Sequence, residues 1–340
     1  MLKDNPLVSI LIVNWNGKKH LEICLSSLSK ITYKNVEILV VDQGSVDGSV
    51  KYLEDNHKNI NVIKLDKNVG FAAGSNVGFK HAKGDFVLFL NNDTRVKQDF
   101  LEPLVYAMSD PKVAVVQPKI CFWNKKYIQS AGSFLTLTGF LYHRGYGADI
   151  NKYNVKDEIF SVNGACMLVR TKVAHKLGIF DEDYFAYFEE TDFCWRTIIS
   201  GYKVIYEPKS VIFHKGGQTS KVFVNSHIQY LSFRNRINTY LKNMSVGYLL
   251  FMLPLHLFFC MVNIFAFLYK KKPLHAVAII KAIGSNIINY KIILKKRRVV
   301  QSKREIKDKN IFSKYLKNPK FKYYYFLFGD LTRYEKNPKT

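Results

Sequence analysis

The sequence predicts an α/β fold: a mainly parallel central sheet flanked by helices, followed by C-terminal apolar and amphipathic helices. Three observations predict it. Residues 7–120 alternate strand-length apolar runs with helix-length segments, the pattern of repeated β–α–β units. Val246–Tyr269 is an apolar stretch of 24 residues without one Asp, Glu, Lys or Arg, longer than the ~20 residues that span a bilayer. Basic charge is concentrated beyond it: residues 270–340 hold 20 Lys+Arg against 4 Asp+Glu, a net of +16 out of +24 for the whole chain.

Taken in order, the strands are expected at Leu7–Val13, Val36–Val41, Asn61–Leu65, Phe86–Leu90 and Val113–Gln117. These are short runs rich in Val, Ile, Leu and Phe, as strands covered on both faces require. Helices are expected at Lys18–Lys30, Asp47–Asn56, Ala73–Ala82 and Lys97–Met108. A sheet built this way binds ligands beyond the carboxyl ends of its strands, so the strand-end residues should carry the chemistry. The first strand ends Asn14-Trp15-Asn16-Gly17; no GxGxxG follows, which removes the main support for a dinucleotide site. The second ends in Asp42, between strand and glycine turn, whereas Asp47 fits a helix cap. After the third come Asn68, Gly70, Gly74, Asn76 and Gly78, expected to let backbone approach a ligand closely, with a plain structural turn as the alternative. The fourth ends Asn91-Asn92-Asp93-Thr94.

The ordered motifs VNWNG, VVDQGSVDGS, NVGFAAGSNVGF and LNNDT, followed by VNGACML, FDE, YFEETDFCWR and GYKV with Pro208 and His214, resemble inverting glycosyltransferases of family 2 with the GT-A fold. They look most like the rhamnosyltransferase-like branch that builds bacterial surface polysaccharides. The likeness covers roughly residues 7–240. It implies a nucleotide-diphosphate sugar donor (UDP- or dTDP-linked) held by Asn14, Asp42, Asn68, Gly70, Asn76, Asn91, Asn92 and Asn163. It implies Mg²⁺ or Mn²⁺ bound by Asp93, the last residue of the family's DxD element, with His214 helping. Asn91 replaces the first Asp of that element. Inversion needs one carboxylate to take the acceptor's proton. Alignment on Cys194 and Arg196 puts that base at Glu190, where the family usually has Asp; Asp192 and Glu189 are the other candidates, and an acidic helix N-terminus is the structural alternative. Arg234 resembles an Arg-Asn element that would touch diphosphate or acceptor.

The apolar stretch is interrupted by Pro254, His256 and Asn263 and is flanked by Arg234, Arg236 and Lys242 on one side and Lys270–Lys272 on the other. A single crossing would put one cluster on the wrong side. Next, Ala276, Ile279, Ile280, Ile283, Ile287, Tyr290 and Leu294 fall on one face of a single expected helix, opposite Lys281, Ser285 and Asn289, with Lys295–Arg298 following. This predicts an interfacial anchor on an anionic, cytoplasmic leaflet; a true span and a buried core helix are the alternatives. Residues 1–245 are thus expected to form the catalytic domain and 246–340 a membrane-associating region.

The net charge implies an anionic partner. A nucleic-acid-binding protein is a competing reading, with Tyr323, Tyr324 and Tyr325 beside Lys320 and Lys322 as base stackers. It is disfavoured because the charge sits beside apolar helices and no nucleic-acid module is legible. A catalytically dead sugar-binding relative is the third reading. The acceptor is expected to be a lipid-linked glycan. Five cysteines without a CxxC pair argue against a disulfide framework or zinc site and for a reducing compartment. The polar Met1–Asn5, followed by an apolar run of only strand length, leads us to expect no signal peptide.

Overall fold

The computed structural model describes residues 5–216, 225–319 and Tyr323. The first half runs β1 (Val8–Asn14), α1 (Lys18–Leu28), β2 (Val36–Gln43), α2 (Ser49–Asn56), β3 (Asn61–Leu65), α3 (Phe71–His81), β4 (Phe86–Leu90), β5 (Thr94–Val96), α4 (Leu101–Ala107) and β6 (Val113–Phe122). Short strands β7 (Ile128–Ser130), β8 (Ser133–Phe134), β9 (Tyr142–His143) and β10 (Asp157–Glu158) follow. Then come β11 (Cys166–Arg170), α5 (Thr171–Leu177), a 3₁₀ turn (Glu182–Tyr184), α6 (Glu189–Ile199) and β12 (Lys203–His214). The chain continues with α7 (Asn225–Asn243), α8 (Val246–Tyr269), α9 (Pro273–Ile288), α10 (Tyr290–Ser302) and α11 (Asp308–Tyr315).

The main sheet has the order β10-β12-β6-β11-β4-β1-β2-β3, with β5 on β12 and β7 on β6. The pairs β1–β2, β1–β4, β2–β3 and β6–β12 are parallel. β11 runs antiparallel between β4 and β6. That one reversal brings the amino end of β11, preceded by Asn163 and Gly164, to the edge where β4 ends, because Cys166 pairs with Leu90. Strands β1 and β4 are apolar on both faces because helices cover both. One face packs Phe89, Met167, Trp195 and Tyr206; the other packs Leu21, Leu25, Phe100 and Leu168.

Expected strand and helix positions agree with the structure to within a few residues, with two larger differences. β6 continues to Phe122 because Pro118–Phe122 pair with the second half of the twelve-residue β12. Helix α4 starts at Leu101, four residues later than expected, since Thr94–Val96 first pair with β12.

The single amphipathic helix expected over residues 276–294 is corrected: α9 and α10 meet at Asn289 and are bent by 70°. Its expected apolar face divides. Ala276 and Ile279 are buried, whereas Ile280, Ile287, Tyr290 and Leu294 are exposed. The small side chains Ala276, Ala278 and Ala282 let α9 lie close against its neighbours, so they and not the largest apolar residues define its inner face.

Helix α8 is long and apolar enough to cross a membrane, yet it is two-faced. Met252, His256, Cys260, Asn263, Ile264 and Phe267 are buried, while Leu250, Phe251, Phe258 and Phe265 are 61–71% exposed. His256 Nδ1 lies 2.9 Å from the Thr138 carbonyl, and Asn263 donates to the Phe259 carbonyl at 2.7 Å. The polar interruptions of the apolar stretch therefore mark its protein-facing side. The later helices are tied to the body: Gln301 donates to the carbonyls of Lys242 and Asn243, and Leu135 pairs with Leu316. Tyr323 donates to the Leu141 carbonyl at 2.9 Å; Lys320, Lys322, Tyr324 and Tyr325 lie outside the described residues.

Candidate active site

Three chain segments end at the same edge of the sheet. Asn91-Asn92-Asp93 follow β4, Asn163-Gly164-Ala165 precede β11, and His214 closes β12. The Asn91 N–H donates to the Ala165 carbonyl at 2.9 Å, locking the first two together. A Cβ placed on Gly164 would stand 3.8 Å from the Glu190 side chain, so the start of α6 faces this edge as well.

Asp93 is 7% exposed, and its Oδ1 lies 3.0 Å from His214 Nε2. The Asn91 carboxamide approaches the same imidazole nitrogen at 3.4 Å. His214 Nδ1 meets Gln129 Oε1 at 2.7 Å; with that oxygen accepting, Nδ1 carries a proton and Nε2 is the nitrogen turned toward Asp93. Burial alone would raise the Asp93 carboxyl, but the charge and hydrogen bond of His214, helped by His20, hold it below the usual carboxylate range. Among the described residues no group of three or more His, Cys, Asp and Glu gathers to hold a metal. The donor set present, one ionised carboxylate with one imidazole beside it, fits a hard cation that takes its remaining ligands from phosphate oxygens and water; it does not fit an all-protein cage.

The acidic cluster divides into three environments. Asp192 is fully buried. Its Oδ2 accepts from Arg196 Nε at 2.8 Å, and its Oδ1 is met by Lys242 Nζ and Asn243 Nδ2, both at 3.1 Å. Burial would raise this carboxyl, but Lys242 and Arg196 outweigh it and lower it. Asp192, the alternative base, is two residues on from Glu190, and both its carboxylate oxygens are engaged by this network. Glu189 is 5% exposed, and burial, with the neighbouring Glu190 carboxyl, pushes its carboxyl well above the usual range. Glu190 alone of the three stays partly open, and burial raises it to about 7. A carboxyl near 7 is poised to accept a proton at neutral pH.

The residues expected around the nucleotide divide as well. Asn14, Asp42 and Asn92 form a buried relay: Asn92 donates to Asn14 at 2.8 Å, and Asn14 donates to Asp42 at 2.9 Å. Asp42 also accepts from the Ser45 N–H at 2.9 Å. They brace the strand ends beneath the cleft. Asn163 caps its own turn, accepting from the Ala165 N–H at 3.0 Å. In the glycine-asparagine loop, the contacts present are within the chain. Gly70 adopts φ +89°, and a Cβ there would come within 2.5 Å of the Phe185 carbonyl; the close approach it allows is to this chain's own loop. Asn68 accepts from the Gly70 N–H, and Asn76 bonds the backbone of Phe180 through both its donor and its acceptor. Arg234 is similarly occupied: it donates to the carbonyls of Asp183 and Tyr184 at 2.6 and 3.1 Å.

Sequence reasoning passed over Gln117 and Gln129, and took Asn235 only as part of the Arg-Asn element beginning at Arg234. Gln117 is fully buried and accepts from the Asn163 N–H at 2.6 Å. It ends an expected strand, a signal that was available. Gln129 lies on a three-residue strand with no such signal.

A mixed α/β sheet with its polar residues gathered at this edge is the GT-A architecture. Solved structures agree in fold: S. aureus TarS residues 1–349 in complex with UDP-GlcNAc (TM-score 0.57, 18% identity, 87% of this chain and 90% of that one), and the mannosyltransferase PcManGT of Pyrobaculum calidifontis in complex with GDP-Man and Mn²⁺ (TM-score 0.53, 17% identity, 88% and 86%). The profile of glycosyl transferase family 2 matches residues 9–178, half the chain. The chain belongs to that family. Among curated relatives, the low-salt glycan biosynthesis hexosyltransferase Agl10 of Haloferax volcanii is 26% identical over 69% of this chain and 75% of its own length. The putative glycosyltransferase EpsH of Bacillus subtilis is 31% identical over 33% of each. An uncharacterized protein of Sinorhizobium fredii is 24% identical over 63% of this chain. The chain spans only a quarter and a third of the length of the last-named protein and of EpsH, respectively.

Proposed function

We propose that this protein transfers a sugar, with inversion, from a UDP- or dTDP-linked donor to a hydroxyl of a lipid-linked glycan at the cytoplasmic face of the cell membrane. dTDP-rhamnose is among the candidate donors. The observation that carries the reading is the separation of roles at one sheet edge: an ionised Asp93 beside His214, and a partly open Glu190 raised to about 7. Asp93 and His214 would hold Mg²⁺ or Mn²⁺, which when bound supplies charge neutralisation for the departing diphosphate. Glu190 accepts the proton of the attacking hydroxyl. Gly164 beside it leaves room for an acceptor.

The test is thermal stability of the full chain against UDP-, dTDP- and GDP-sugars with and without Mn²⁺. A donor that binds the folded state raises the Tm; no Mn²⁺-dependent rise with any donor counts against the reading. Asp93→Ala is expected to weaken the Mn²⁺-dependent binding at least tenfold, and an unchanged response to Mn²⁺ would remove Asp93 as ligand.

Membrane association rests on the outward faces of α8 and α9. Leu250, Phe251, Phe258 and Phe265 are joined by exposed Leu274, Ile280, Ile287 and Ile288, with Lys270–Lys272 at the helix junction. An apolar band edged by lysine suits an anionic leaflet, and the buried His256 and Asn263 favour a helix lying in the interface over one crossing it. Replacing Leu250, Phe258 and Phe265 together by serine is expected to cut co-sedimentation with phosphatidylglycerol vesicles at least tenfold while leaving the Tm within a few degrees. Vesicle binding that survives the triple change contradicts this assignment.

A further inference from the structure

The segment between Tyr184 and α6 is costly to build. Phe185, Tyr187 and Phe188 all have positive φ, at 62°, 71° and 75°. Bulky side chains rarely occupy that region, and residues held there are strained and persist only where their surroundings over-determine them. This is the run of backbone that turns the chain into Glu189 and Glu190, since Phe188 caps α6 and its carbonyl accepts from the Asp192 N–H at 2.9 Å.

One side chain makes three hydrogen bonds to this segment. Asn235, fully buried on α7, donates through Nδ2 to the carbonyls of Tyr184 (3.0 Å), Ala186 (2.9 Å) and Tyr187 (2.7 Å). An amide nitrogen has two hydrogens, so three carbonyls share them. The orientation of the amide is set by its other end: Oδ1 accepts from Arg234 Nε at 2.9 Å, and a guanidinium can only donate. On the opposite side the Phe185 carbonyl accepts from the Ala72 N–H at 3.1 Å. The left-handed run is therefore gripped between the start of α3 and one carboxamide of α7.

We propose that Asn235 is the positioning residue of the base: its carboxamide holds residues 184–187 in the one path that delivers Glu190 to the sheet edge. The inference rests on the reading of Glu190 as base given above. Asn235 touches neither donor nor acceptor in this scheme and acts through the backbone alone. The surroundings of Glu190 depend on that path. Glu189 precedes it, the Thr191 side chain bonds it, Cys194 lies one turn on, Gly164 faces it, and the Arg236 guanidinium sits 5.1 Å over the Phe188 ring. Releasing the run lets more water reach Glu190, which is only partly open in the native chain.

The experiment follows the Glu190 carboxyl by ¹³C NMR in full-length protein labelled at glutamate Cδ, the resonance being identified by its absence in Glu190→Gln. Two variants are compared with the native chain. Asn235→Asp keeps the shape but sets carboxylate oxygen against carbonyl oxygens, and Asn235→Ala removes the donors without adding charge; if the first does not fold, the second carries the test. The Glu190 midpoint, about 7 in the native chain, is expected to fall by more than one pH unit toward 4.5 in each folded variant. A loss of stability alone does not move it. A midpoint unchanged in a folded variant overturns the inference. Native-like turnover by Glu190→Gln instead overturns the base assignment, and the midpoint then reports separately whether Asn235 governs the setting of that carboxyl.

Discussion

Glu190→Gln is expected to lower turnover by about 10²–10⁴-fold, the usual contribution of one positioned proton acceptor, while leaving donor and Mn²⁺ binding within about threefold. The substitution is nearly isosteric and removes only the ability to take a proton. The native enzyme should also lose activity in acid through this residue. A base must be ionised, so with the carboxyl raised to about 7, the rate is expected to fall tenfold per pH unit below 7 and to level off above it. The same shift has the opposite sign for stability. A carboxyl raised on folding resists ionisation in the folded state, so the native chain is penalised as pH rises from the ordinary 4.5 through 7. Glu190→Gln should therefore raise the Tm at pH 8 and leave it nearly unchanged at pH 4. Calorimetry at the two pH values and initial rates across pH 5–9 check this pairing; near-native turnover would sink Glu190 as the base.

The second large effect lies in the ion network behind the loop. Lys242, 2% exposed, pairs with Asp181 at 2.6 Å and with Asp192 at 3.1 Å, while Lys296 on α10 pairs with Asp181 and with Asp183. Lys242→Met removes one cation from between two buried carboxylates. Breaking a buried pair from one side costs about 3–5 kcal/mol, because the remaining charge stays desolvated. Urea unfolding at pH 7 should show a loss of that size. Both carboxyls are lowered: burial opposes this, but Lys242 and Lys296 outweigh it at Asp181, and Lys242 and Arg196 at Asp192. Groups lowered on folding contribute stability above their ordinary value of 3.8 and lose it as pH falls through the folded value. The difference between native and Lys242→Met chains should accordingly be full at pH 7 and shrink below pH 4. A difference under 1 kcal/mol at pH 7 would show that Arg196 and Lys296 hold the carboxylates without it.

How much was legible in the sequence follows the range of the interaction. β3 and β4 were bounded to the residue because each is a short run ended by turn chemistry, although only β4 is buried throughout; β3, expected to be covered on both faces, is an edge strand with no buried residue. The end of β6 and the late start of α4 were not, because both depend on pairing with β12, about 90 residues beyond β6 and about 120 beyond β5. The candidate site shows the same division. Asp93, His214 and Glu190 were legible as residue types at strand and helix ends. The pairing of Asp192 with Arg196 is also legible, as an (i, i+4) pair on one helix; that Lys242 meets the same carboxylate was not, because that partner comes from α7, fifty residues on. The glycine loop shows the same limit: Gly70 has the conformational freedom expected of it, but that Phe185 approaches it was not legible, because Phe185 lies 115 residues on.

By itself, then, the sequence determined the alternation of strands and helices, the edge at which polar residues collect, and the two-part distribution of apolar and basic residues. These follow from local periodicity and strand-end position, which one stretch of chain carries alone. The tertiary structure decided which carboxylate stays open, which side of α8 faces the protein, where the C-terminal helix breaks, and that one carboxamide on α7 grips the turn before Glu190. Each of those depends on burial and on partners brought from far along the chain, and desolvation has no meaning until the neighbours that exclude water are in place.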